Sequence, residues 1–158
     1  PTFASERIPT LDELAAWAKG KVRLNIEIKS TPQTIGDLPE QVVAICRNHG
    51  IVEETEVISF DHVAIMRVKA MEPNLAGAIN FGARLVDPVG AARAAAADVL
   101  NMHWAFITPD LIELAHGNGL GVQCFMNDPE LAKTLAGWGV DFMDADFPDR
   151  VKAAVRAR

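Results

Sequence analysis

The sequence predicts an α/β fold made of repeated strand–helix units on a parallel sheet. Three observations carry that expectation. Short apolar, strand-like runs recur about every 20 to 30 residues, with helical spacing between them. Helix-start signals stand just after these runs, at Asp61, Thr108-Pro109 and Asp128-Pro129. No dinucleotide-type glycine fingerprint follows a strand, which favours part of a β/α barrel over a doubly wound sheet. A closed barrel takes eight units and typically about 250 residues. The 158 residues here hold about six units. The expectation is an incomplete TIM-type (β/α) barrel forming a single domain over residues 1–158.

Residues 1–9 read as irregular. Thr10-Leu11-Asp12-Glu13 is a capping box that opens a helix, with an apolar stripe at Leu11, Leu14, Ala15 and Ala18 and a stop at Gly20. A strand over 24–29 leads into a turn-rich loop from Ser30 to Leu38, then a helix from Pro39 to His49 ended by Gly50. Val57–Phe60 is the second strand, and Asp61 caps a helix that reaches about Met71 before Pro73. Leu75–Ile79 is the third strand, followed by a short helix over Ala91–Ala97. Val99–His103 is the fourth, with a helix from Pro109 to Gly117 or Gly119. Gly121–Phe125 and Val140–Met143 are the fifth and sixth strands, each followed by a helix, the last running from Pro148 to about Arg156. Trp17 and Trp138 read as packing residues.

Composition narrows the function. With 49% hydrophobic residues the chain can bury one ordinary core. Its apolar runs are too short and too interrupted by charge for a transmembrane span. A net charge of -6 argues against a nucleic-acid partner, so an anionic substrate needs a local cationic pocket. Cys46 and Cys124 form neither a disulfide framework nor a zinc pattern and read as small buried apolar residues. A cytoplasmic location fits this usage, although the chain starts at Pro1 and leaves room for a processed upstream segment.

The stretch with most chemistry is Leu24-Asn25-Ile26-Glu27-Ile28-Lys29. Alternation puts Asn25, Glu27 and Lys29 on one face of the strand and the apolar residues on the other. A carboxylate and an ammonium on an inward face are costly unless paired or bound. Two readings follow: a structural ion pair, or a metal-binding carboxylate beside a phosphate-binding lysine.

In order along the chain stand Ile8-Pro9-Thr10-Leu11-Asp12-Glu13, Leu24–Lys29, Ser59-Phe60-Asp61-His62, Thr108-Pro109, Ala115-His116 with Gly119-Leu120, Asn127-Asp128-Pro129-Glu130, and Gly139-Val140-Asp141 with Asp146-Phe147-Pro148-Asp149. This series resembles the glycerophosphodiester phosphodiesterase family over nearly the whole chain. The resemblance implies a metal-dependent hydrolase that splits glycerophosphodiesters into glycerol 3-phosphate and an alcohol. It further implies that Glu27 coordinates a divalent cation, Mg²⁺ or Ca²⁺, and that Lys29 contacts the phosphate. Such cations favour carboxylate oxygens, and lysine supplies a compact positive charge.

The family's His-Arg-Gly, Glu-x-Asp and His-Asp segments, which carry its acid–base histidines and two further metal ligands, have no counterpart in these residues. The family's aromatic-Thr-Val-Asn stretch is here Cys124-Phe125-Met126-Asn127, and its Thr-Asp before Tyr-Pro is Ala145-Asp146 before Phe147-Pro148. No catalytic residue is therefore assigned, and this chain alone is expected to lack turnover. Besides Lys29, the candidate substrate and phosphate contacts are Phe60, His103, Trp104, Phe125 and Asn127, with Glu27 as metal ligand. His103 ends a strand where barrel sites form. His49 and His116 read as helix-end structural residues and His62 as a surface or supporting one, while Asp146 is a better site candidate than Asp144. A rival reading is a non-catalytic phosphate-binding or assembly module, in which the two open edges of the incomplete barrel pair with another copy as a homo-oligomer. A phosphatidylinositol-type phospholipase relative fits the same motifs less well.

Overall fold

The computed structural model describes residues 6–156. Helix α1 (Leu11–Ala18) opens on the expected capping box, in which Thr10 accepts from the Glu13 amide and the Glu13 side chain accepts from the Thr10 amide. The strands are β1 (Leu24–Glu27), β2 (Thr55–Ser59), β3 (Ala76–Phe81), β4 (Val99–Met102), β5 (Gly121–Phe125) and β6 (Phe142–Asp144). Between and after them run α2 (Leu38–His49), α3 (His62–Met71), α4 (Pro88–Ala94), α5 (Pro109–Gly117), α6 (Pro129–Trp138) and α7 (Pro148–Arg156). Asp61, Asp87, Thr108 and Asp128 cap α3, α4, α5 and α6 through their side chains. Gly50 and Gly139 close α2 and α6 in the left-handed region, at φ of 63° and 108°, which other residues adopt only with strain.

All six strands are parallel and paired in chain order, β1-β2-β3-β4-β5-β6. The sheet curls strongly: the Asn25 side-chain amide on one edge strand lies 3.4 Å from Asp144 Oδ1 on the other. The result is a curled, incomplete barrel with two unlike faces. On the convex face Val57, Ile79, Leu100, Val122 and Cys124 belong to one large buried cluster with the helix residues Val43, Ile65, Val68, Ile112, Ala115 and Leu135. That burial is the main source of stability. On the concave face Ile58, Ala78 and Val99 form a small separate cluster, and polar side chains occupy much of the rest.

The strand–helix alternation agrees with expectation, while several ends move. Strand β1 stops at Glu27 rather than Lys29, so Lys29 lies in the loop beyond the ladder although the Ile28 amide still bonds Ile58 O at 2.9 Å. Strand β3 runs on to Phe81 because β4 supplies register partners as far as Met102. Helix α4 begins at Pro88, where Asp87 caps the Gly90 amide at 2.7 Å. Two short 3₁₀ turns, Val52–Glu54 and Trp104–Phe106, lack a periodic signal and were not foreseen. Trp17 and Trp138 are corrected from packing to surface residues, 56% and 42% exposed. The buried side of α1 is filled by Ala15 and Ala18, and the Trp17 ring instead receives Lys21, whose Nζ is 5.2 Å from its centroid. The irregular stretch expected over 1–9 lies partly outside the described residues.

Candidate functional site

A cavity of about 520 Å³ opens at the carboxyl ends of the strands on the concave face. β1 contributes Asn25 and Glu27, β3 Asn80, β4 Asn101, and β6 Asp144, while Phe60, His103, Trp104 and Phe125 surround the mouth. A second hollow of about 400 Å³ adjoins it, lined by Glu27, Lys29, Ser30, Thr31, Thr34 and Phe60. Glu27 and Phe60 belong to both. This is the end of a β/α barrel where loops gather and ligands bind.

Within the site Lys29 Nζ forms a close ion pair with Glu27 Oε2. The Glu27 side chain is partly buried, whereas Lys29 is 77% exposed and faces the adjoining hollow. Of the two readings of Glu27 and Lys29, the ion pair is the geometry observed. The pair is accessible from that hollow. Beside it Ser30 Oγ donates to Asp61 at 3.0 Å, and Ser59 Oγ donates to Ile28 O at 2.7 Å, which fixes the loop after β1 to the end of β2.

Of the sequence candidates, Glu27, Phe60, His103, Trp104 and Phe125 line the main cavity, and Lys29 lines its neighbour. The His103 ring sits 5.2 Å from Trp104 and 5.9 Å from Phe106, and its Nδ1 accepts from the Ala105 amide at 3.3 Å. Asn127 is not brought to the cavity. Its side chain exchanges two 2.8 Å hydrogen bonds with Asp146, one to the carboxylate and one from the amide. The preference for Asp146 over Asp144 is therefore reversed: Asp144 lines the cavity and Asp146 clamps the loop. His49 and His116 pair with Asp12 and Asp141 at 2.8 and 2.9 Å, and His62 Nε2 donates to Asn80 O at 2.9 Å, all supporting roles.

Sequence reasoning missed Asn80 and Asn101 at the cavity and Glu56 and Gln123 below it, and it ranked Asp144 too low. The signal was present, since Asn80 and Asn101 each lie two residues beyond a small or apolar inward position, Ala78 and Val99. In the lower part of the concave face Gln123 donates to Asp144 Oδ2 at 2.8 Å. Glu56 sits close by, and burial, reinforced by the Asp144 charge, pushes its carboxyl up to about 7. Burial and then Asp144 likewise push the Cys124 thiol up to about 11, which keeps it protonated and unreactive.

Two carboxylates, Glu27 and Asp144, reach the cavity from opposite edge strands. No group of three His, Cys, Asp or Glu side chains converges on a metal position among the described residues. A hard divalent cation wants about six or more oxygen ligands. The described residues alone do not complete such a site.

Residues 1–150 match the model of the glycerophosphoryl diester phosphodiesterase family. The chain belongs to that family. It is 31% identical over 156 residues to a glycerophosphodiester phosphodiesterase of Caldanaerobacter subterraneus, covering 98% of this chain and 64% of the relative. A putative glycerophosphodiester phosphodiesterase of Bacillus subtilis is 28% identical over 154 residues, covering 94% and 63%. This family member therefore spans a little under two thirds of the length of these relatives. Among solved structures, a glycerophosphodiester phosphodiesterase from Parabacteroides distasonis superposes with a TM-score of 0.86 at 23% identity, covering 97% of this chain and 66% of that one. An Oleispira antarctica phosphodiesterase in complex with its product sn-glycerol-3-phosphate gives 0.70 at 22% identity, covering 85% and 56%. At these identities the likeness establishes a shared barrel fold, of which this chain forms an incomplete, six-stranded part.

Proposed function

We propose that this chain supplies the phosphate-binding part of a divalent-cation-dependent glycerophosphodiester phosphodiesterase, acting on small-molecule glycerophosphodiesters. The observation that carries the reading is the accessible Glu27–Lys29 pair at the strand ends of a family member, between two adjoining hollows. Lys29 binds the anionic phosphoryl oxygens, its three N–H donors replacing Glu27 with phosphate. Glu27, once released, is one ligand for Mg²⁺ or Ca²⁺. Phe60, Trp104 and Phe125 shield the bound group from water. The Oleispira enzyme's product, sn-glycerol-3-phosphate, is the natural probe.

Calorimetric titration of the chain with sn-glycerol 3-phosphate tests this directly. Lys29→Ala is expected to weaken binding about tenfold or more. Glu27→Gln is expected to abolish any strengthening by Mg²⁺ or Ca²⁺. Unchanged affinity in Lys29→Ala would remove the lysine from the phosphate site. Because these residues hold no His-Arg-Gly or His-Asp segment, hydrolysis of glycerophosphocholine by the chain alone is expected to stay at background. Turnover that required both cation and Glu27 would overturn that expectation.

A second reading, an assembly module, draws on the edges. Within the described residues β1 pairs only with β2, and β6 only with β5. Their outer backbone groups invite strand pairing, and a second copy of the chain is the proposed partner. Light scattering at micromolar concentration should then give at least twice the 17.1 kDa chain mass. A monomeric mass would dispose of this reading and leave the first intact.

A further inference from the structure

Three carboxamides stand in one register row across the concave face. Asn80 of β3 is the partner of Asn101 in β4, and Asn101 is the partner of Gln123 in β5. Partners in a parallel ladder point to the same side of the sheet, so the three amides lie abreast. Asn80 and Gln123 are only 5% and 1% exposed, yet Asn80 Oδ1 and Gln123 Oε1 have no hydrogen-bond partner. Buried acceptors are nearly always matched by a donor. Gln123 uses its nitrogen, toward Asp144 at 2.8 Å, but leaves its oxygen idle. Asn80 and Asn101 line the same cavity as Glu27, with Phe60, Trp104 and Phe125 around them.

We propose that Asn80, with Asn101 beside it, is a polyol subsite. A carboxamide both accepts and donates, which matches a hydroxyl, and the idle Asn80 oxygen takes its O–H. Neighbouring aromatic rings cover the apolar C–H face of such a group. A trimethylammonium carries no N–H or O–H and cannot satisfy that oxygen. A row that reads the alcohol half therefore favours hydroxyl-rich alcohols over choline, whereas a row that reads the glycerol half takes both diesters alike. The inference rests on the phosphate end lying at Glu27 and Lys29. The hydroxyls can belong to the glycerol half of a diester or to its alcohol half.

Four probes separate these cases by titration of the intact chain: inorganic phosphate, sn-glycerol 3-phosphate, glycerophosphoinositol and glycerophosphocholine. In Asn80→Leu, close in volume but without polar atoms, affinity for a hydroxyl-rich probe should fall about tenfold while inorganic phosphate is unaffected. Loss already with sn-glycerol 3-phosphate assigns the row to the glycerol half. Loss confined to glycerophosphoinositol assigns it to the alcohol half. The thermal midpoint of Asn80→Leu should not drop, because an unmatched buried acceptor is removed. Asn101→Leu, at a less buried position, provides the same test should Asn80→Leu not fold. Equal affinities of parent and variant for every probe would overturn the subsite. Failure of the parent to bind even inorganic phosphate would instead overturn the phosphate reading beneath it.

Discussion

Lys69→Met should destabilise the fold by about 3 kcal/mol, which for a chain of this size lowers the thermal midpoint by roughly 6–12 °C. Lys69 lies on α3 and is 9% exposed. Its Nζ donates to Pro73 O at 2.6 Å, to Leu75 O at 3.2 Å and to Asp98 Oδ2 at 2.7 Å. The same Asp98 oxygen accepts from the Gly77 amide at 2.9 Å. One ammonium thus ties the end of α3 to the starts of β3 and β4. Methionine fills the volume of the stem but leaves two carbonyls and a carboxylate without their donor. The Asp98 side chain is 46% exposed, so water compensates it in part. Asp98→Asn removes the countercharge of a buried ammonium but keeps an oxygen for Nζ beside the Pro73 and Leu75 carbonyls, so it should cost less, about 2 kcal/mol. Chemical denaturation of the two variants beside the parent decides the matter, and a Lys69→Met loss below that of Asp98→Asn would show the ammonium to be dispensable.

Glu56→Gln should stabilise the chain at pH 8 by about 2 kcal/mol and have little effect near pH 4.5. Burial raises the Glu56 carboxyl from 4.5 to about 7, the Asp144 and Asp98 charges add to the shift, and Arg23 opposes it. A carboxyl raised by folding holds its proton more tightly in the native state. Below pH 4.5 it is protonated in both states and costs nothing. Between 4.5 and about 7 the unfolded chain ionises while the native one keeps its proton, so stability falls as pH rises. Above about 7 the native carboxylate is charged in a poorly solvated place and the whole cost is felt. A shift of this size corresponds to roughly 3 kcal/mol, which solvent reaching the partly exposed side chain reduces to about 2. Glutamine keeps the shape and removes the charge. Parallel denaturation of parent and variant at both pH values is the measurement. Equal gains at the two would place the effect in packing rather than in ionisation.

The polar row inside the sheet shows why some of the site was legible in the chain and some was not. Glu27 and Lys29 stood out because a carboxylate and an ammonium two residues apart on an apolar strand are chemically unusual. Asn80, Asn101 and Gln123 did not, since a lone amide in a strand is unremarkable until its neighbours are known. Their significance comes from register, which sets three residues 21 and 22 positions apart side by side. Asp146 is preferred over Asp144 on sequence and the order is reversed in the fold, because only the loop geometry decides which carboxylate meets Asn127 and which turns inward.

Legible in the chain alone were the alternation of strands and helices, the capped starts of α1, α3, α5 and α6, the parallel class of the sheet and the pair of charges at the end of β1. These follow from local periodicity and short-range hydrogen bonds, which act over a few residues. Tertiary structure alone decided which side chains share the cavity, that the tryptophans of α1 and α6 stay at the surface, and that the two edge strands curl until Asn25 nears Asp144 across 119 positions of chain. Those outcomes depend on sheet twist and register summed over six strands, and no local window of residues contains them.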